Sequence, residues 1–544
     1  MGSTRGKRAA LGVIAVTVAS AAAVTATQLG CTGGEGDRSG SGEGGSTGEE
    51  TGGESADGPR DAATHPPGAR PRVIPAVRDW EAARGPGWKP GPDTRVVAES
   101  GSAVEDEARR LARELRVDYA DSGAGAGDVE LALDSDVAGG REAYELTTAD
   151  GRVRISGSAD AGVFYGTRTL VQSLRERDAM PEGTVRDRPD RPQRGLMVDT
   201  ARKHFSADWL ADRLREMGDL KLNQLQLHFS DDQGFRIESE TSPGSVSEQH
   251  LTKNQVRELV RLARSLHITV VPEIDSPGHL GALLAEHPEL ALRNGSGELV
   301  EGAIDIGKPA AGRLVDELLE EYAELFPGAY WHLGGDEYRP LTAEDPEANH
   351  PRLHRIAQRR FGERATVRDL ATAWLNDRAK TVRKLGYTPQ VWNDGMHAGG
   401  EVRPSKRREV TYWTGKEIGA RPPGEYLAEG WKLINLNDEY LYYVLGEPQQ
   451  FTYPTGERIY REWTPAVLRG SRAEPAGSTT PSRVPGARLA VWCDLADAQS
   501  AQEVAAGIRM PLAALAQKVW DPREPKASWR EFRELADEVD RGRG

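Results

Sequence analysis

At 544 residues and a formal net charge of −14, the chain exceeds what one hydrophobic core usually organises, so a large domain, a smaller one and some non-globular sequence are expected. The acidic balance excludes nucleic acid and anionic membrane surfaces as partners, because both select a basic footprint. Its two cysteines, Cys31 and Cys493, cannot by themselves build a structural zinc site, and processing at Cys31 would leave no intrachain disulfide.

Arg5, Lys7 and Arg8 precede an uncharged run from Ala9 to Gly30 rich in Ala, Val and Thr, the layout of a bacterial-type export signal over residues 1–31. Gln28-Leu29-Gly30-Cys31 resembles a lipoprotein processing site with Cys31 as the lipidated residue; ordinary cleavage near Ala23 to Ala26 and an uncleaved anchor are the alternatives. Each places the remainder outside the cell or on the outer face of its membrane, with the amino terminus as the only tether. Residues 32–72 are dominated by Gly, Ser and Glu, bury too little to offset ordering entropy, and are expected to be a disordered linker.

Residues 73–190 predict a compact α+β domain. Short apolar or alternating runs at Thr94–Ala98, Val129–Leu133, Tyr144–Thr147 and Val153–Ser156 have strand character. Helical spacing marks Val104–Leu115 and Ala159–Leu174. Pro181, Pro189 and Pro192 punctuate a linker into the larger domain.

Over residues 191–535 short apolar runs alternate with helices, and each run ends in polar or aromatic residues. Eight are predicted: Gly195–Asp199, Gln224–Asp232, Ile268–Asp275, Tyr330–Glu337, Gln390–Asp394, Glu409–Trp413, Leu433–Asp438 and Leu489–Asp494. Ser206 caps a helix over Asp208–Leu220, and Thr252 caps one over Lys253–Leu266. Eight such units indicate a (β/α)8 TIM barrel of α/β class, with a doubly wound open sheet as the alternative. In a barrel the carboxyl ends of all strands converge on one mouth, which here pools carboxylates with Trp and Tyr rings.

That mixture suits a sugar, whose C–H faces lie on aromatic rings while carboxylates bind hydroxyls or protonate a glycosidic oxygen. Phosphoryl chemistry fits badly, for no glycine-rich phosphate fingerprint follows a strand. A metal-dependent hydrolase using His228, Asp231, Asp275, His279 and Asp336 is a further reading, although no HxH or HExxH spacing is present. No cofactor is expected.

Tyr330-Trp331-His332-Leu333-Gly334-Gly335-Asp336-Glu337 resembles the catalytic signature of glycoside hydrolase family 20, the β-N-acetylhexosaminidases. Three further segments resemble that family's first three strand ends: Asp199 to Phe205 with Arg202, Leu227 to Arg236 with Asp231, and Glu273-Ile274-Asp275-Ser276-Pro277-Gly278-His279. The preceding α+β domain matches the family's usual arrangement. The resemblance implies hydrolysis in which the substrate's own 2-acetamido group is the nucleophile. Glu337 would then protonate the leaving oxygen and activate water, for which a raised pKa is expected. Asp336 would orient the acetamido nitrogen and stabilise the oxazolinium charge.

Other roles follow from the same resemblance. Arg202 would fork onto sugar hydroxyls, with Asp394 and Asp494 as further sugar-binding residues. Asp231, Asp275 and His279 would support the catalytic pair. Trp392, Trp413 and Trp492 would wall the acetamido pocket, and Tyr440 would donate to the acetamido oxygen, Tyr442 being the alternative two residues on. Lys203, Tyr442 and Asp494 depart from the family pattern, and such changes bear on substrate choice. The expected substrate is an amino-sugar glycan or chitin oligosaccharide, cleaved by an exo-β-N-acetylhexosaminidase. Alternatives are a lacto-N-biosidase-type enzyme releasing Gal-GlcNAc units and a non-catalytic sugar-binding lipoprotein.

Overall fold

The computed structural model describes residues 65–416 and 420–541; the export segment, Cys31 and the linker to residue 64 lie outside the described residues. The last stretch of the expected linker is packed. Pro67 bridges Arg84, the Gly68 N–H donates to the Ala83 carbonyl at 2.8 Å, and Arg72 pairs with Glu176 at 3.0 Å. Polar side chains and a free sheet edge hold this segment where composition alone suggests disorder.

The small domain is a seven-stranded sheet in the spatial order Asp79–Ala82, Gly183–Asp187, Tyr144–Ala149, Arg152–Gly157, Val129–Leu133, Arg95–Val97, Asp118–Ala120. Helices Glu105–Leu115 and Asp160–Arg177 pack on it. Asp79–Ala82 and Asp118–Ala120 escape the sequence pattern because edge strands half open to water carry no apolar alternation. Gly183–Asp187 falls inside the expected Pro-rich linker but pairs with both Asp79–Ala82 and Tyr144–Ala149. The true connection is therefore only the few residues before Gln193.

Eight parallel strands close the barrel of the larger domain, Gln193–Asp199, Gln224–His228, Thr269–Glu273, Tyr330–His332, Thr388–Trp392, Glu409–Tyr412, Leu433–Asn435 and Gly486–Trp492, and a short ninth, Tyr442–Val444, pairs parallel with the end of the last. The seventh pairs with the eighth and the eighth with the first, so the sheet closes into a (β/α)8 barrel and the open-sheet alternative is set aside. Ser206 accepts the Trp209 N–H, and Thr252 with Gln255 forms a reciprocal capping box. Leu210, Leu214 and Met217, then Val256, Leu259 and Ala263, form the buried stripes of these two helices. Between strands five and six a single turn at Asn393–Gly395 replaces the helix among the described residues. The final helix, Trp529–Arg541, continues past residue 535.

The barrel interior is not the usual aliphatic packing. Fully buried Arg488 donates to Gln224 at 2.8 Å, Gln226 at 2.5 Å and Gln390 at 2.8 Å. The small domain meets the barrel at the strand starts: Arg194 forks onto Glu142 at 2.9 and 2.8 Å, and buried Lys221 donates to Tyr144 and Thr169. The opposite mouth, where the strands end, is left free.

Candidate active site

Strand four stops at His332, five residues before the position expected for its end. Gly334 and Gly335 have φ of +66° and +102°, which β-strands exclude. A Cβ on Gly334 would lie 1.7 Å from the Asp275 carboxylate. Glycine there lets Asp275 reach in and accept the Gly335 N–H at 2.8 Å. The turn carries Asp336 and Glu337 over the barrel mouth on a loop rather than on a strand. Glu337 itself has φ 44°, a left-handed conformation costing roughly 1–2 kcal/mol for a non-glycine residue.

The two carboxylates occupy different environments. The Asp336 side chain is 11% exposed and that of Glu337 45%, so Asp336 forms the wall of the cleft and Glu337 its rim. Beneath them runs a chain of alternating charge. Glu337 lies 3.5 Å from His279 Nε2, His279 Nδ1 lies 3.5 Å from Asp231, and Asp231 accepts from His228 Nε2 at 2.8 Å. His228 Nδ1 stands 3.3 Å from Glu273. Arg202 joins from the first strand end, 3.0 Å from Asp199 and 2.8 Å from Asp231.

Glu273 is the hub of this chain. It is fully buried and accepts from Gln226 at 2.7 Å and from the Trp392 indole N–H at 2.8 Å, with His332 Nδ1 standing 3.0 Å away in addition to His228. Sequence reasoning assigned it no role, yet the signal was present: in Glu273-Ile274-Asp275 the period of two puts both acids on the inner face.

Burial works against a charged His228, but Glu273 and Asp231 override it and hold the imidazole well above its ordinary value. His279 is likewise raised well above, against burial, by Asp231, Asp336 and Glu337. Burial and the neighbouring Asp336 push Asp275 well above the usual carboxylate range. Burial also raises Asp336. Burial and Asp336 together raise Asp394 to about 7. Glu337 runs the other way: the hydrogen bond from His279 lowers it. The raised pKa expected for Glu337 is thus not found, because its nearest neighbour is a cation rather than a second carboxylate.

A cavity of about 520 Å³ opens above, lined by Arg202, His279, Asp336, Glu337, Trp413, Tyr442, Trp492 and Asp494. Arg202 lies over the Trp492 ring at 5.3 Å. Trp413 and Tyr442 stack at 5.6 Å with planes 6° apart, and Phe451 continues the stack from Tyr442 at 6.2 Å.

Three expected sugar contacts are placed differently. Tyr440 turns away from the cleft, donating to Glu462 at 3.1 Å beneath the Arg458 guanidinium; Tyr442, two residues on, takes its place. Trp392 is fully buried with its N–H on Glu273, so it supports Trp492, 5.8 Å away, rather than lining the pocket. Asp394 accepts the Glu337 main-chain N–H at 3.0 Å and the Trp413 indole N–H at 3.0 Å; it positions both and has no oxygen free of them. Lys203 also turns aside, donating to the Ala496 carbonyl at 2.7 Å. Phe451, Gln449 and Gln450, which line the outer cleft, stand on an irregular loop that no periodicity marks.

Three groups of side chains have metal-like spacing: His228 with Glu273 and Asp275, Asp231 with Asp232 and His279, and Asp275 with His279 and Asp336. Each group shares a histidine, His228 or His279, with the chain of ion pairs above.

Comparison with known proteins follows this geometry. The family described as "Glycosyl hydrolase family 20, catalytic domain" matches residues 192–523, and "Glycosyl hydrolase family 20, domain 2" matches residues 70–188. The chain is 30% identical over 480 residues to the lacto-N-biosidase of Bifidobacterium bifidum, covering 86% of this chain and 42% of that protein. It is 31% identical over 296 residues to a β-hexosaminidase of Akkermansia muciniphila, covering 48% of this chain and 58% of the relative. The chain thus spans about two-fifths to three-fifths of these curated relatives. The solved β-N-acetylhexosaminidase of Streptomyces coelicolor A3(2) superposes with a TM-score of 0.70 at 25% identity, over 88% of this chain and 96% of that one.

Proposed function

The chain belongs to glycosyl hydrolase family 20, and from that premise we propose that it is an exported, retaining exo-β-N-acetylhexosaminidase acting on terminal β-linked GlcNAc or GalNAc. The observation that carries the reading is the meeting of Asp336 and Glu337 at one cleft, one carboxylate buried in its wall and the other at its rim. The acetamido oxygen of the bound sugar attacks its own anomeric carbon as the glycosidic C–O bond breaks. Glu337 gives its proton to the departing oxygen. Asp336 accepts the acetamido N–H and, as the carboxylate, stabilises the oxazolinium ring. Glu337 then takes a proton from water, which opens that ring with net retention. The Tyr442 hydroxyl and Trp413–Trp492 wall receive the acetamide, while Arg202 and Asp494 hold ring hydroxyls. A sugar filling the cleft displaces water from Glu337, which raises its pKa towards the value a proton donor needs.

Release of nitrophenol from the β-N-acetylglucosaminide, unaffected by chelator, is the first test; loss with EDTA would favour metal chemistry, and no turnover a pure binder. Glu337→Gln should lose most activity on poor leaving groups while retaining binding, and Asp336→Asn should be severely impaired. Equal rates on a β-glucoside, which lacks the amide, would rule out the neighbouring-group step.

A second reading, release of a Gal-GlcNAc unit, is supported by the 30% identity to a lacto-N-biosidase over 86% of this chain. The extension of the cleft past Trp413 to Lys416, Gln449 and Phe451 supports it too. A panel of GlcNAc, GalNAc, glucose and Gal-GlcNAc glycones separates the two. Export through the amino-terminal signal, with Cys31 as the lipidated residue, belongs to the same proposal; mass spectrometry of the mature amino terminus tests it. Among the described residues no helix is long and apolar enough to cross a membrane.

A further inference from the structure

A second hollow, of about 340 Å³, meets the catalytic cleft at Glu337 and His279, the only lining residues the two have in common. Its other walls include Asp232, Glu301, Gly302, Arg339 and Thr342. Gly302, at φ +70°, allows the approach of chain that shapes it: a Cβ there would lie 2.3 Å from the Asp232 carboxylate. Asp232 is anchored by the Gly281 N–H at 2.8 Å. At the rim Arg339 and Glu301 stand 3.5 Å apart, with side chains 55% and 75% exposed.

A proton donor must touch the glycosidic oxygen, which has the retained sugar on one side and the leaving group on the other. The cleft with Arg202, Asp336, Trp492 and Asp494 takes the retained sugar under the function proposed above, on which this step rests. The hollow, which shares only Glu337 and His279 with that cleft, is open to the leaving group at the acid. Its walls offer carboxylate acceptors, a guanidinium fork and a hydroxyl, but among the described residues no Trp, Tyr or Phe. Extended chitin chains present flat C–H faces that aromatic platforms hold; nothing here supplies one. At 340 Å³ the space is near the lower end, about 300 Å³, of small-molecule sites.

We propose that this hollow is the leaving-group subsite and that Asp232, Glu301 and Arg339 select a single hydroxyl-rich hexose through hydrogen bonds, not the stacked tail of a chitin oligomer. Arg339 donates to adjacent hydroxyls of that sugar, and the two carboxylates accept from others. Because the Arg339–Glu301 pair is exposed, its removal leaves the fold intact.

The test compares kcat/KM of Arg339→Ala and Glu301→Gln with the parent on two leaving groups attached to whichever glycone the parent cleaves: galactose and 4-nitrophenol. About a tenfold loss on the galactoside, with the nitrophenyl rate held within twofold, is expected, together with a parent preference for the galactose over the chitotriose leaving group. Equal losses on both leaving groups, no loss on either, or a preference for chitotriose would overturn the subsite. A parent protein inactive on every β-N-acetylhexosaminide would instead remove the catalytic reading and this inference with it.

Discussion

The main-chain N–H of Glu337 ends on the carboxylate of Asp394, 3.0 Å away, and the second oxygen of Asp394 takes the indole N–H of Trp413 at 3.0 Å. One side chain from the end of strand five therefore ties Glu337 to the aromatic wall of the cleft. It also holds Glu337 in its left-handed conformation, a strain that persists only where the surroundings fix it.

Asp394→Ala should lower kcat/KM about 100-fold, the scale of loss when a catalytic group shifts by about 1 Å. Asp394→Asn, which keeps one acceptor, should lose about tenfold. Steady-state kinetics on protein verified by circular dichroism measures both, and parent-like rates in the alanine variant would remove the positioning role.

Stability should fall as pH rises from about 5 to 8. Burial raises Asp394 to about 7, and Asp275 and Asp336 in the same direction. His228 and His279 are raised as well. All five bind protons in the folded chain that the unfolded chain releases at lower pH, so their stabilisation is present at the acid end and lost on the way up. Thermal unfolding across this range tests the sign, and a Tm that climbs with pH contradicts it.

His279→Gln should move the alkaline limb of the kcat/KM profile to higher pH while lowering its maximum. The His279 cation is the main cause of the lowered Glu337 pKa; without it the acid keeps its proton longer. A shift towards lower pH would show that another group controls that limb.

Tyr442→Phe should lose at least tenfold in kcat/KM, whereas Tyr440→Phe should stay within twofold. Only Tyr442 lines the cavity, while the Tyr440 hydroxyl is spent on Glu462. The reverse pattern would restore the family-based assignment.

Glu273→Gln should destabilise the protein by roughly 3–5 kcal/mol, the range for breaking a buried ion pair from one side. An amide can accept on one atom only, so either Gln226 or Trp392 loses its acceptor, and the raised His228 imidazole loses its counter-charge. Chemical denaturation gives the difference, and a change under 1 kcal/mol would mean that the hub does not carry the charge chain.

Much of this architecture is written locally. Each barrel strand is a short apolar run closed by a polar or aromatic residue, and Ser206 and Thr252 announce their helices by a cap that needs only three residues of context. The acids of the mouth are legible for the same reason, since barrel closure brings all strand ends together whatever the loops do. Edge strands such as Asp118–Ala120 leave no trace, because half their side chains face water and any polar residue serves.

The order of residues alone determined the barrel, the pairing of Asp336 with Glu337 and the identity of Arg202 and His279 as their company, because pattern and motif act within a few residues of chain. Only the tertiary structure decided that Tyr442 and not Tyr440 lines the cleft, that Trp392 lies beneath it, that Asp394 grips Glu337, and which carboxyl groups are raised and which lowered. Those outcomes depend on distances of 3–4 Å between groups far apart in the chain and on how completely water is excluded between them, and neither quantity exists until the barrel has closed.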